Sequence, residues 1–180
     1  ETIDRKYPLF KYSELCFLKA IAIELGLVSG DAKSEYEAGV RSSMTELGVP
    51  ESNIVSYLAS TSPNYYGTTA SYDDITGTSN TALDKILTQK YIAQFQECSF
   101  ETWADHRQFH KPTLMPFASV SSSVFNMNPS DQANNTPNAY IKRIYYPSSE
   151  YTVNATNVKE AESRMGGNNS IQNNVWWDVN

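Results

Sequence analysis

The stretch Tyr12-Ser13-Glu14-Leu15-Cys16-Phe17-Leu18-Lys19-Ala20-Ile21-Ala22-Ile23-Glu24-Leu25-Gly26 decides how the chain is read. Leu15, Leu18, Ala22 and Leu25 recur at steps of three and four, which places them along one stripe of an α-helix. Ser13 reads as the N-cap and Gly26 as the stop. A few residues on, Gly30-Asp31 opens a second helix with Tyr36, Val40, Met44 and Leu47 on its apolar face, closed by Gly48-Val49-Pro50. So short a link makes the two helices antiparallel neighbours. This is a helical hairpin of the tetratricopeptide kind. Such a unit cannot bury its apolar face alone and needs stacked neighbours, yet no second copy follows at a fixed period.

Residues 56–79 lose the helical period. Tyr57, Tyr65, Tyr66 and Tyr72 stand there among Ser, Thr, Asn and Gly, the composition of a long surface loop. A third helix begins near Ser79-Asn80 and carries Leu83, Leu87, Tyr91 and Phe95 at four-residue steps. A short fourth, about Phe100 to Gln108, turns back against it. From Pro112 onward, Pro116, Pro129, Pro137 and Pro147 punctuate Ser- and Asn-rich sequence. Ile141 to Tyr146 reads as a short strand, and Asn154 to Met165 as a helix ended by Gly166-Gly167. The tail Val175-Trp176-Trp177-Asp178 is expected to fold back, because two adjacent indoles are costly in water. The expected fold class is therefore mainly α. A helical-hairpin, tetratricopeptide-like scaffold over 1–111, with its loop at 56–79, carries a long irregular region over 112–180 folded back on the helices. All of it reads as one domain.

Composition agrees with this and removes several functions. The 180 residues suit one domain or a piece of a larger one. The hydrophobic 40% includes 12 tyrosines, and 21 Ser, 14 Thr and 15 Asn accompany it, so the aliphatic core is thin and much of the chain is polar loop. Fourteen basic against 20 acidic residues, net charge -6, with no Lys/Arg cluster, argues against nucleic acid as a partner. The most apolar stretch, Leu15 to Leu25, is broken by Lys19 and Glu24, short of the roughly 20 apolar residues of a membrane span. Glu1-Thr2-Ile3-Asp4-Arg5-Lys6 has no apolar segment of a signal peptide. The expectation is a chain whose targeting signal was removed, or an internal or C-terminal portion of a longer one. Cys16 and Cys98 form neither a disulfide framework nor a metal pattern, and their pairing stays open.

No phosphate-binding glycine loop, nucleophile elbow or zincin motif is present. His106 and His110 lie four apart on one helical face after Asp105, but without a third ligand they read as a solvated helix end. Asp73-Asp74 fall short of the roughly six to eight oxygens of a calcium site and read as turn residues. Cys98 precedes a helix N-terminus, a position that lowers a thiol pKa, yet no His stands near to use it. No acid has the apolar setting of a general acid. The chain therefore reads as a non-enzyme without cofactor or metal. The loop is different. Tyrosine faces stack on the C–H faces of sugar rings while Asn and Asp bond the hydroxyls, so Tyr65, Tyr66, Tyr72, Asn64 and Asp73 are the candidate carbohydrate-binding residues.

Six ordered blocks resemble a known family. Tyr7 to Ala20 is similar to its "YPLMTYAEVLFLKAEA" helix, and Gly30-Asp31-Ala32 with Tyr36 to Met44 to the following "GDA..YEAGIRASM" helix. Ile86 to Ala93 is similar to "I..QKWIA", Phe100 to Arg107 to "EAWADWRR", and Arg143 to Tyr151 to "RRIPYPSSE". Gly166-Gly167 with Val175 to Asp178 is similar to the terminal "GG…WWD". Gln108 stands where a second Arg is common. These are C-terminal hallmarks of the SusD/RagB family, nutrient-binding outer-membrane lipoproteins of Bacteroidetes, and the similarity is greatest to the SusD-like subgroup. The resemblance implies the C-terminal portion of one SusD-like domain, with the lipid-bearing N-terminal portion absent. It further implies an α-rich fold at the extracellular face of the outer membrane, and a lid-like partnership with a SusC-type TonB-dependent transporter. Implied ligands are oligosaccharides, or peptides in some members; a surface glycan hydrolase is the more distant alternative. Trp103, Asp105, Arg107, Trp176 and Trp177 belong to the family motifs and read as architectural.

Overall fold

The computed structural model describes residues 8–95, 97–112, 141–171 and 173–178. Seven helices and no strand occur among them. The chain divides into two compact units, residues 1–113 and 114–180.

The first unit holds α1 (Tyr12–Glu24), α2 (Ala32–Glu46), α3 (Glu51–Leu58), α4 (Ala82–Ala93) and α5 (Ser99–Phe109). α1 and α2 pack along one another as the expected hairpin, and α4 packs against α1. Their shared core is Phe17, Ala20 and Ile21 of α1, Tyr36 and Val40 of α2, and Ile86 and Leu87 of α4. Both hairpin helices end in the same way. Gly26 donates to the Ile23 carbonyl and Leu27 to that of Ala22, while Gly48 donates to Thr45 and Val49 to Met44. These are Schellman closures, and both glycines take the positive φ that the motif demands (70° and 77°). Asp31 starts α2 by accepting from the Ser34 N–H at 3.2 Å.

Two features of α1 differ from expectation. Its N-cap is Lys11, and Ser13 is buried inside the first turn. Its buried face is Cys16, Phe17, Ala20 and Ile21, whereas Leu15 and Leu18 remain about 40% exposed (40% and 41%). The helix carries apolar side chains on more than one face, so spacing alone fits either stripe. The choice is made by the partner helix, where Gly39 lets the Phe17 ring close on the α2 backbone. Leu47 and Phe95 are also exposed, because each lies beyond the last helical residue and so out of register with the face below it.

The loop expected at 56–79 begins later. Pro50, with φ -60°, starts α3, which runs through Leu58 and buries Ile54. Eight residues are too few to display a helical period in the sequence. α4 starts at Thr81, where a reciprocal capping box joins Thr81 and Asp84. Its middle is buried on every side although most of it is polar, Asp84 through Lys90. Each polar side chain reaches a neighbour. Asp84 takes Lys111 at 2.9 Å, Gln89 donates to the Tyr57 hydroxyl at 2.7 Å, and Lys90 pairs with Asp105 of α5. Burial opposes ionisation of Asp84, but hydrogen bonds from Thr81 and Lys111 outweigh it and hold the carboxyl below its ordinary range.

In the second unit, described by itself, one-turn α6 (Glu150–Val153) leads into α7 (Ala155–Arg164), closed at Gly166-Gly167 as expected. Residues 141–146 are not a strand. The Lys142 and Arg143 N–H groups converge on the one Ile171 carbonyl (2.8 and 3.2 Å), so no ladder can propagate. Arg143 is buried instead, bonding Asn169 Oδ1 at 2.8 Å with its guanidinium 4.6 Å from the Tyr146 ring centre. Asn169 in turn donates to the Tyr151 hydroxyl at 2.9 Å. The tail also differs: Asp178 is buried, but Trp176 is 89% exposed. The turn closed by the Asp178 N–H on the Val175 carbonyl puts Trp176 at its outer corner.

Candidate functional site

The loop between α3 and α4 is built around one asparagine. Asn64 Oδ1 accepts from the N–H groups of Tyr66 (2.9 Å) and Thr68 (3.1 Å), and its Nδ2 donates to Thr68 Oγ1 at 2.9 Å. Its backbone N–H reaches the Thr68 carbonyl at 2.8 Å. Gly67 closes the turn with φ 80°, a conformation that a Cβ disfavours. Asn64 therefore shapes the turn that presents Tyr65 and Tyr66. Tyr65 is 72% exposed and meets Tyr66 edge-on, with centroids 5.5 Å apart at 87°. Tyr66 meets Tyr91 of α4 edge-on in turn, at 5.6 Å and 73°. Three rings thus run from the scaffold to the loop tip. Burial, followed by the neighbouring Tyr91, pushes the Tyr66 phenol above its ordinary pKa, so this ring stays neutral and apolar.

Below Tyr66 lies a cleft of about 570 Å³, bounded by Tyr57, Tyr66, Gln89 and Tyr91 with Val40 and Met44 among its apolar walls. That volume is in the range of small-ligand sites. Tyr57, Gln89 and Tyr91 were not among the sequence candidates. Tyr91 reads in the sequence as one more member of an apolar stripe, and no local signal sets it apart from Leu83 and Leu87.

The other two candidates point elsewhere. Tyr72 packs on Tyr36 with centroids 5.3 Å apart, and its hydroxyl bonds Glu24 at the end of α1. Burial and that carboxylate push its phenol far above the ordinary tyrosine value. Asp73 pairs with Lys33 on the first turn of α2. The structure therefore joins Tyr65 and Tyr66, with Asn64, into one aromatic feature on α4, and ties Tyr72 and Asp73 to the α1–α2 hairpin.

The remaining chemistry-bearing residues lie on or beside α1 and α5. His106 is buried, and its ring lies nearly parallel to that of His110 (14°, centroids 6.4 Å apart). Their neighbour Asp105 is engaged by Lys90. Among the described residues no three His, Cys, Asp or Glu side chains converge on a metal position. The Arg107 guanidinium lies 4.2 Å over the Trp103 ring, which packs in turn on Phe100. Cys16 and Cys98 are both free thiols. Burial, then the nearby Glu14 and Glu97, pushes the Cys98 thiol up, against the direction its helix-terminal position suggests. No helix among the described residues is long and apolar enough to cross a membrane.

A family model described as SusD and RagB outer membrane lipoprotein matches residues 2–178. The chain belongs to the SusD-like family. A SusD homologue of Parabacteroides distasonis superposes on it with TM-score 0.78 at 42% identity, over 98% of this chain and 34% of that one. A chitin-binding SusD homologue of Flavobacterium johnsoniae matches at 30% identity and TM-score 0.71, over 93% of this chain and 36% of that one. A Bacteroidetes SusD-like protein matches at 27% identity and TM-score 0.69, over 94% and 30%. The SusD-like chain described here thus spans about a third of the length of these relatives. No curated protein matches it.

Proposed function

We propose that this SusD-like chain is the C-terminal portion of a surface lipoprotein that binds oligosaccharide without chemistry. In this reading it passes the sugar to a partner SusC-like TonB-dependent transporter in the outer membrane. The observation that carries the reading is the Tyr65–Tyr66–Tyr91 run on a polar loop above an apolar cleft. Aromatic area flanked by amide and hydroxyl groups suits the alternating apolar and polar surfaces of a sugar chain. A family member described as chitin-binding supports the glycan class. Three acids around the loop support binding over catalysis, since they already serve the scaffold: Glu24 holds Tyr72, Asp73 holds Lys33, and Asp84 holds Thr81 and Lys111.

The test is isolation of the full-length lipoprotein from its own outer membrane in mild detergent, with mass analysis of everything retained. The reading expects a large TonB-dependent barrel and a bound oligosaccharide. A retained peptide would move the ligand to the peptide-binding class of the family. A protein that comes away alone and unlipidated would overturn the transporter partnership.

A further inference from the structure

Lys85 is fully buried in the middle of α4, and no carboxylate pairs with it among the described residues. Its ammonium donates instead to the Thr69 carbonyl at 3.2 Å and to the Thr69 hydroxyl. Burying an ammonium carries a large desolvation cost even after relaxation, and an aliphatic side chain would fill the same place in a helix without it. The cation therefore has to be explained by what it holds. Thr68, Thr69 and Ala70 form the buried middle of the α3–α4 loop, where no helix or ladder satisfies the backbone. The scaffold supplies partners one by one. Asn80, itself buried, accepts from the Thr69 N–H at 2.9 Å and donates to the Asp74 carbonyl at 2.7 Å. Tyr36 of α2 donates to the Ala70 carbonyl at 2.8 Å, and the Ser60 carbonyl accepts from Ser71 at 2.9 Å. Lys85 takes the one carbonyl between these, that of Thr69. The residue before it, Thr68, is the one that closes the Asn64 turn bearing Tyr65 and Tyr66.

We propose that Lys85 is a positioning residue for the aromatic loop: its buried ammonium, seated on Thr69, holds the Tyr65–Tyr66 turn in the geometry that receives a sugar chain. The ligand class rests on the glycan-binding reading above, but the anchoring does not. Lys85 touches no ligand and acts through Thr69 and the Asn64 turn. Burial holds its pKa below the ordinary lysine value, with Asp74 and Asp84 as the nearby acids that oppose the shift.

The test compares the full-length protein with its Lys85→Met variant, which keeps the length of the side chain and removes its donor. Hydrogen exchange reads the loop directly, without any ligand. Amides of residues 66–71 are expected to exchange about tenfold faster or more, with those of α1 and α2 unchanged. Affinity for a chitooligosaccharide probe is expected to fall about tenfold as the binding-competent fraction drops. Unchanged exchange at 66–71 would overturn the anchor whatever the ligand does. Faster exchange in a protein whose wild type leaves the probe unbound would uphold the anchor and overturn chitooligosaccharide as the sugar received. Should Lys85→Met fail to fold, Thr69→Val removes the hydroxyl that Lys85 and Asn80 both reach, and a smaller acceleration at 66–71 is expected because the Thr69 carbonyl still accepts from Lys85; no acceleration would overturn the anchor.

Discussion

At Gly39 the α2 backbone comes so close to α1 that a Cβ would sit 2.8 Å from Cε1 of Phe17 and 2.9 Å from Cζ. A glycine inside a helix costs about 1 kcal/mol relative to alanine, so propensity alone makes Gly39→Ala stabilising. Packing reverses that sign, because Phe17 is 1% exposed and has nowhere to move. Gly39→Ala is expected to destabilise the protein by about 1–3 kcal/mol, as overpacking does, measured by denaturant unfolding. A second residue-scale prediction concerns Tyr72. Its phenol and that of Tyr36 are both raised above the unfolded value of 10.0, chiefly by burial. The native state then keeps protons that the unfolded chain loses. The stability these groups contribute is full below pH 10 and is lost as pH rises above it, less steeply for half-buried Tyr72 than for buried Tyr36. The stability gap between wild type and Tyr72→Phe should accordingly narrow in alkaline solution. A gap that stays constant from neutral pH into the alkaline range would contradict the assignment.

Among the elements, α4 departs furthest from what its sequence suggests. Four-residue spacing found the helix but assigned it an apolar stripe, whereas its burial is mostly polar and reaches all round. Lys85, Gln89 and Lys90 look solvated in a sequence because only their partners, Thr69, Tyr57 and Asp105, justify burying them, and all three lie 15 or more residues away. The Lys90–Asp105 pair joins α4 to α5 with the lysine side chain 3% exposed. Asp105→Asn is expected to cost roughly 3 kcal/mol, the lower end for stranding one partner of a buried pair, read as a shift in the unfolding midpoint. The hairpin was more legible. Asp31, Gly26 and Gly48 announce helix ends by local chemistry, and local chemistry is what a sequence states outright. Which face of α1 is buried was not legible, because Leu15 and Phe17 are equally apolar and the decision belongs to Gly39 on another helix. The aromatic feature was half legible for the same reason. Tyr65 and Tyr66 stand out by composition, but Tyr91 joins them only through the fold.

For the whole molecule, six ordered blocks in the sequence carried the family resemblance, and the family match over residues 2–178 agrees with it. The blocks coincide with structural ties: Trp103, Asp105 and Arg107 with the α5 packing, and Arg143 and Tyr151 with the Asn169 network. Tyr65 and Tyr66 lie outside those blocks, in the loop that resemblance leaves blank, whereas Tyr91 and the cleft residues Val40, Met44 and Gln89 lie inside them. Ligand choice is accordingly expected to follow the loop, while the scaffold follows the family. The most direct measurement is a calorimetric titration of the oligosaccharide retained by the full-length protein in its own outer membrane, with wild type, the Tyr65→Ala/Tyr66→Ala double variant and Tyr72→Phe run side by side. The account predicts about tenfold weaker binding for the double variant, given stacking worth roughly 0.5–1.5 kcal/mol per ring, and wild-type binding for Tyr72→Phe. A folded double variant that binds the sugar as tightly as wild type would contradict it.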